Sequence, residues 1–154
     1  MTWFFDLITN PIIVAGVTAW FNAQVLKTII YWVVNKKFDI WRLFGDGGMP
    51  SGHSATVTSI AMISALIYGT GSFQFAISTM LAVIVCHDAM GVRQETGKQA
   101  KVLNEIMKSF DILLKDALPE VKLKEFVGHT PFQVFTGIII GILHGLIIYF
   151  LFFV

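Results

Sequence analysis

The stretch GGMPSGHSA at residues 47–55 decides how the rest of the chain is organised. Its glycines and Pro50 end any preceding element, and Ser51 can then cap a helix that continues into an apolar segment. A helix start exposes backbone N–H groups and the positive end of a dipole, which together favour a phosphate group. His53 lies in the first turn, where an imidazole can donate a proton to the group that the phosphate is attached to. The alternative is an ordinary capped helix after a Gly/Pro turn, with a surface histidine.

The composition places the chain in the membrane class. Of the 154 residues, 55% are hydrophobic and 14% are charged, and the mean hydropathy is +0.72. Soluble domains carry about 25% charged residues. The formal net charge of +1 gives no indication of a nucleic-acid partner, and the single cysteine excludes an intrachain disulfide. The first residues lack a basic n-region and a cleavage site, so we do not expect a removable signal peptide.

Four segments are long and apolar enough to span a bilayer, which takes roughly 20 residues. They cover about residues 11–34, 51–68, 73–93 and 131–154. Only the turn GTGS at residues 69–72 separates the second segment from the third, which predicts a tight antiparallel hairpin. We therefore expect an all-α integral membrane protein, a single domain over residues 1–154 with about four transmembrane helices.

A fifth helix of a different kind is predicted at about residues 97–118. Apolar residues recur there at three- and four-residue steps, with charged residues on the other side. Such a helix either lies at the cytoplasmic membrane interface, with its lysines facing anionic headgroups, or packs against the other helices or a second subunit. The sequence leaves these alternatives open. The apolar positions are Val102, Leu103, Ile106, Met107, Phe110, Leu113, Leu114 and Leu118.

The basic residues predict the orientation in the membrane. All 11 Lys and Arg lie in the two long loops or in the half-segments that lead into them. Because cytoplasmic loops carry an excess of Lys and Arg, we expect both long loops in the cytoplasm and both termini outside.

Polar residues within the apolar segments indicate a site. Lys27 lies at bilayer depth, where an ionisable side chain costs about 3 kcal/mol and usually faces a protein interior or a cavity. The alternative is that Lys27 extends to the nearby surface. The third segment ends in HDAMGVRQETGKQA at residues 87–100, where Asp88 could orient a histidine or pair with Arg93. Arg93 could bind phosphoryl oxygens with its planar guanidinium. The alternative is a charged helix end in water.

The stretch GHTPFQ at residues 128–133 opens the last segment. Thr130 as N-cap, Pro131 at the first helical position and Gln133 at the third predict a capping box. The capping box does not involve His129, which we expect just before the helix, on the same side of the membrane as His53. His144 lies further along the segment, where we expect it to form an interhelical hydrogen bond.

Together these residues resemble the type 2 phosphatidic acid phosphatase superfamily, which also contains acid phosphatases and vanadium haloperoxidases. The similarity is to the small, divergent membrane branch. It covers residues 47–55, residues 88–100 with Leu103 and Asn104, and residues 128–131, together with Ala23, Gln24 and Lys27. The resemblance implies an all-helical bundle that hydrolyses phosphomonoesters and diphosphates without a metal or another cofactor.

The resemblance also implies roles for individual residues. His53 matches the general acid of a Pro-Ser-Gly-His motif. Gln99 stands where the nucleophilic histidine is expected, so His129 is the candidate nucleophile, with Asp88 or Glu125 as the orienting acid. Phosphate binding is implied for Ser51 and Gly52 through their backbone, for Lys27 or Lys36 together with Arg42, and for Arg93.

The leading hypothesis is a membrane lipid phosphatase that acts through a phosphohistidine on phosphatidate, phosphatidylglycerophosphate or a polyprenyl phosphate. One alternative is a catalytically silent module that binds or transports a phosphorylated lipid. Another is Mg²⁺-assisted hydrolysis with Asp46, Asp88 and Glu95 as ligands. The expected partners are the lipid phosphate and the bilayer of a bacterial-type plasma membrane, with no nucleic acid. Because four spans make a thin bundle, we also expect a homodimer.

Overall fold

The computed structural model describes residues 2–45, 47–114, 123 and 128–154, and all the regular elements of these residues are helical. The all-α prediction is confirmed. A short 3₁₀ turn, Ile40–Phe44, connects the second helix to the third; neither this turn nor the first helix was expected from the sequence. The helices are α1 (Thr2–Ile8), α2 (Pro11–Asn35), α3 (Gly52–Tyr68), α4 (Phe73–Met90), α5 (Val92–Leu114) and α6 (Pro131–Phe153).

The helices begin where polar side chains satisfy the first backbone N–H groups. The Ser51 hydroxyl accepts from the Ser54 N–H at 3.3 Å, which confirms Ser51 as the N-cap of α3. Thr130 and Gln133 form the reciprocal pair of a capping box at the start of α6, with Pro131 at the first helical position. This prediction is also confirmed.

Helix α3 lies at the centre of the bundle and packs against α2, α4 and α6. Its contact with α6 is close because three glycines of α6, Gly137, Gly141 and Gly145, face it without side chains. A Cβ atom at Gly141 would lie 2.5 Å from the Ala55 carbonyl oxygen. Small residues at such intervals are how membrane helices approach each other closely.

The register of these contacts makes α3 and α6 parallel. Gly137 lies against Ser51, Gly141 against Ala55, and Gly145 against Ser59. Both helices therefore begin at the same end of the bundle, where α2 and α4 end. We call this end, formed by residues 47–53, 89–101 and 128–133, the loop end.

Three of the described helical segments are long and apolar enough to cross a membrane. They are Pro11–Asn35, Phe73–Phe110 and Pro131–Phe153. Helix α3 has 17 residues, fewer than the roughly 20 that a bilayer requires. The fourth crossing therefore stays a prediction.

The amphipathic helix α5 differs from its expected extent. It begins at Val92 rather than near residue 97, because the chain interrupts the helix only at Gly91. Gly97 is buried inside the helix, while residues 115–118 lie outside the described part of the chain. The apolar side chains of Val102, Leu103, Ile106 and Phe110 are exposed. Insertion into the membrane interface and contact with a second subunit both remain predictions for this face.

The expected hydrogen bond of His144 is confirmed. Its Nε2 lies 2.7 Å from the Thr18 hydroxyl, and its Nδ1 lies 3.3 Å from the Asn22 amide nitrogen. These contacts join α6 to α2 within the bundle. They explain how two apolar segments can contain these polar side chains, because each side chain satisfies hydrogen-bonding groups of the other.

Candidate functional site

Two adjacent cavities open at the loop end, on either side of Gly47 and Gly48. The main cavity has a volume of about 410 Å³, and the side cavity about 160 Å³. Besides the shared glycines, the main cavity is lined by Gln94, Gly97, Lys98, Lys101, Gly128, His129, Thr130 and Gln133. The side cavity is lined by Lys27, Ile30, Tyr31, Val34, Asn35, Arg42 and Met49.

Backbone contacts bring three distant parts of the chain together at this end. The His129 N–H donates to the Ala89 carbonyl oxygen at 2.9 Å, and the Ser51 N–H donates to the Gln133 carbonyl oxygen at 3.1 Å. Gly128 has a φ of +89°, and a Cβ there would lie 2.6 Å from the Gln94 nitrogen. Only glycine fits this position, which places the next residue, His129, against the end of α4.

The two histidines predicted to carry the chemistry lie next to each other. The rings of His53 and His129 pack edge to face, with centroids 6.2 Å apart and planes at 83°. His129 is 3% exposed and lines the main cavity. His53 is half-buried in the first turn of α3. The structure therefore brings two imidazole rings together where His129 lines the main cavity. His53 lines neither cavity, and both ring nitrogens of His129 are buried.

Lys27 and Arg42 together supply the positive charge of the side cavity. Lys27 is 4% exposed, and its ammonium donates to the Gly45 carbonyl oxygen at 3.0 Å. The Arg42 guanidinium lies 4.2 Å above the centre of the Tyr31 ring, a cation–π contact that fixes its position. Lys36, the alternative to Lys27, caps the exposed end of α2 and lines neither cavity.

Arg93 and Asp88 are placed differently from the two cationic residues of the side cavity. The Arg93 Nε donates to Asp88 Oδ2 at 2.9 Å, with the side chains 47% and 42% exposed. Arg93 lines neither cavity. The Asp88 carboxylate pairs with Arg93 rather than with His129. Of the two contacts considered for Asp88, a histidine or Arg93, the structure therefore shows the ion pair with Arg93. Glu125, the other candidate for orienting His129, lies outside the described residues.

Ser51 and Gly52 are buried at the start of α3. The Ser51 hydroxyl accepts from the backbone and the hydroxyl of Ser54, and its own N–H donates to Gln133. Gly52 lies against the indole of Trp20. These groups fix the start of α3 beside the start of α6. Phosphate binding by Ser51 and Gly52 stays a prediction.

One wall of the main cavity was not predicted from the sequence. Gln94, Gly97, Lys98 and Lys101 of α5 all line it, and they are spaced by three, four and seven residues from Gln94. That spacing defines one face of a helix and could have grouped them. The Lys98 ammonium also donates to the Glu95 carboxylate at 2.6 Å.

The carboxylates considered for a Mg²⁺ site are engaged elsewhere or not described. Asp88 pairs with Arg93 and Glu95 pairs with Lys98, while Asp46 is outside the described residues. Within the described ranges, three or more His, Cys, Asp or Glu side chains nowhere come together as a metal site would require.

The fold and the loop end define an all-helical integral membrane protein with two cationic cavities at one end, the larger of which His129 lines. The chain belongs to the Divergent PAP2 family, whose model matches residues 8–144. It is similar to the "Uncharacterized membrane protein YuiD" of Bacillus subtilis (strain 168), with 38% identity over 156 residues. That match covers 96% of this chain and 99% of the relative. No solved structure matches the chain.

Proposed function

We propose that the protein is a membrane lipid phosphatase that hydrolyses a phosphomonoester or diphosphate of an amphiphilic substrate. The observation that carries the proposal is the contact between His53 and His129, because His129 lines a cavity that Lys98 and Lys101 also line. Membership of the Divergent PAP2 family supports the same chemistry.

Electrostatics at the loop end favour a phosphoryl group. Lys27 and Arg42 border the side cavity, which adjoins the main cavity at Gly47 and Gly48. The parallel helices α3 and α6 both begin here, so the positive ends of two helix dipoles add to these charges. Groups held in place before the reaction stabilise the negative charge that develops on the transferred phosphoryl oxygens.

The two histidines can divide the reaction between them. A ring nitrogen of His129 attacks phosphorus as the bond from phosphorus to the ester oxygen breaks, and protonated His53 gives its proton to the departing alkoxide. Water then attacks the phosphohistidine, the nitrogen–phosphorus bond breaks, and neutral His53 takes the proton from that water. The attack requires the reacting atoms to be about 3–3.5 Å apart, so the phosphoryl group lies in the cavity beside His129.

The position of the site favours a lipid substrate. The loop end lies where the apolar helices α2 and α4 end and α6 begins, so the cavity is at the level of the membrane surface. Phosphatidate, phosphatidylglycerophosphate and polyprenyl phosphates carry phosphate at that level. In our proposal the loop end faces the cytoplasm of a bacterial-type plasma membrane, because it carries the basic loops.

Phosphate release from a panel of these lipids, measured with purified protein in detergent and EDTA, tests the proposal. We expect His53→Ala to lower turnover by about 100-fold or more, since proton transfer contributes that much. His129→Ala should abolish turnover, because it removes the nucleophile. His87→Ala is the matched control, because His87 is an exposed histidine near the end of α4. Full activity in both site variants would contradict the mechanism.

A second candidate function is lipid-phosphate binding without turnover. Two observations favour it: Arg93 is held by Asp88 outside both cavities, and Gln133 rather than a carboxylate lies four residues after His129. Saturable binding of a lipid phosphate by protein that releases no phosphate would identify this function.

A further inference from the structure

We propose that the α5 wall of the main cavity, formed by Gln94, Lys98 and Lys101, is a specificity-determining subsite for a second phosphate group of the lipid headgroup. The inference rests on the proposed function, because it takes the first phosphate to be the one bound beside His129 with Lys27 and Arg42. It assigns a role to lysines that the chemistry of the histidines does not use.

The size of the main cavity exceeds what one phosphate group requires. The main cavity has a volume of about 410 Å³, against about 160 Å³ for the side cavity. A phosphate group has five non-hydrogen atoms. The main cavity therefore has room for a group beyond a single phosphate.

The cations fall into two groups that the same backbone separates. Gly47 and Gly48 line both cavities, with Lys27 and Arg42 on one side and Lys98 and Lys101 on the other. Gly48 has a φ of +106°, and a Cβ there would lie 3.3 Å from Lys27 Cγ. Since no side chain projects from these two glycines, a ligand can contact both groups of cations across them.

The α5 wall provides several donors to an anion. Lys98 and Lys101 lie one helical turn apart and both are exposed at the cavity. Lys98 donates to Glu95, yet an ammonium group has three N–H donors, and an exposed ion pair of this kind is weak. The amide of Gln94 lies on the same face, and the Thr130 hydroxyl lies on another wall of the cavity.

The test compares two ligands that cannot be hydrolysed at the bond under study. A farnesyl phosphonate and the corresponding farnesyl methylene-diphosphonate have the same tail and differ by one phosphorus group. Their dissociation constants are measured by titration calorimetry with the full chain in detergent and EDTA. We expect the wild-type protein to bind the diphosphonate about tenfold more tightly or better, tenfold corresponding to about 1.4 kcal/mol.

The double variant Lys98→Gln/Lys101→Gln should bind the diphosphonate no more tightly than the monophosphonate, and its affinity for the monophosphonate should stay within about twofold of wild type. Lys98→Arg/Lys101→Arg should keep the preference, because arginine retains the charge. Lys108→Gln is the matched control, since Lys108 is exposed on the same helix and does not line the cavity. Its preference should be unchanged, which separates a local contact from long-range charge.

Equal affinity of the wild-type protein for the two ligands would overturn the subsite. An equal loss of affinity for both ligands in Lys98→Gln/Lys101→Gln would also overturn it. The same would follow if Lys108→Gln lost the preference for the diphosphonate. Binding and turnover are separate measurements, which keeps the two proposals distinguishable. If the protein prefers the diphosphonate but releases no phosphate, the subsite is supported and hydrolysis is contradicted. If it releases phosphate but shows no such preference, hydrolysis is supported and the subsite is contradicted. If neither ligand binds saturably, the subsite is overturned whatever the turnover.

Discussion

Replacing Gly141 with alanine perturbs the α3–α6 contact that places His53 beside His129. An added Cβ would lie 2.5 Å from the Ala55 carbonyl oxygen, 2.9 Å from Thr58 Cβ and 3.0 Å from the Ser59 nitrogen. Ordinary contact begins at 3.4 Å, so the two helices must separate by about 1 Å, the difference between 3.4 and 2.5. Backbone atoms cannot move aside as a flexible side chain can.

The expected cost follows from two opposing terms. Overpacking a close contact typically costs about 1–3 kcal/mol. Alanine is favoured over glycine in a helix by about 1 kcal/mol, which offsets part of that cost. Because the nearest atom to the new Cβ is a backbone oxygen, we expect the overpacking term in its upper range. The net decrease in the free energy of unfolding of Gly141→Ala is then about 1–2 kcal/mol.

The assay is reversible denaturant unfolding of the purified protein in detergent micelles. Gly71→Ala is the matched control, because a Cβ there meets no atom within 4 Å and the residue is not left-handed. We expect that variant to stay within about 0.5 kcal/mol of wild type. If Gly141→Ala is as stable as Gly71→Ala, the close α3–α6 contact described above is wrong.

Three further changes test other parts of the structure. His144→Leu leaves Thr18 and Asn22 without their ring partner, so it should lower the free energy of unfolding by about 1–3 kcal/mol. His87→Leu changes an exposed histidine and is the control; equal stability of the two variants would refute this prediction. Tyr31→Leu removes the ring under Arg42 and should weaken lipid-phosphonate binding by about two- to fivefold, whereas Tyr31→Phe keeps a ring and should bind as the wild type does. Equal affinities of the two variants would contradict the cation–π role. Thr130→Val removes the N-cap oxygen of α6 and should lower the free energy of unfolding by about 1 kcal/mol. Thr130→Ser retains that oxygen and should be as stable as the wild type. Unfolding at the same denaturant concentration in both variants would speak against the cap.

Local chemistry in the sequence was sufficient for much of this structure. The caps at Ser51 and Thr130 and the turn at residues 69–72 each depend on residues within a few positions of one another. The hydrogen bond of His144 was also predictable, because a polar side chain in an apolar segment needs a partner inside the bundle.

The composition of the main cavity could not be predicted in the same way. Lys98 and Lys101 belong to it because α5 continues from α4 past Gly91 and passes beside Gly128 and His129, which are distant in sequence. The helical periodicity predicted that the charged residues of α5 lie opposite its apolar face, but periodicity alone gives no indication of what that charged side contacts. The contact of Arg93 was also one of two alternatives that the sequence left open, and the structure shows its guanidinium bound to Asp88, five residues earlier. Phosphate binding by Arg93 stays a prediction.

The proposal that His53 and His129 share one phosphate-binding site is tested most directly by NMR of ¹⁵N-histidine-labelled protein in micelles. The four histidine rings are followed while a non-hydrolysable lipid phosphonate is added. We expect the resonances of His53 and His129 to shift together along one saturation curve, while exposed His87 and buried His144 stay unchanged. Saturable binding that shifts neither His53 nor His129, or that gives the two rings different dissociation constants, would contradict a shared site.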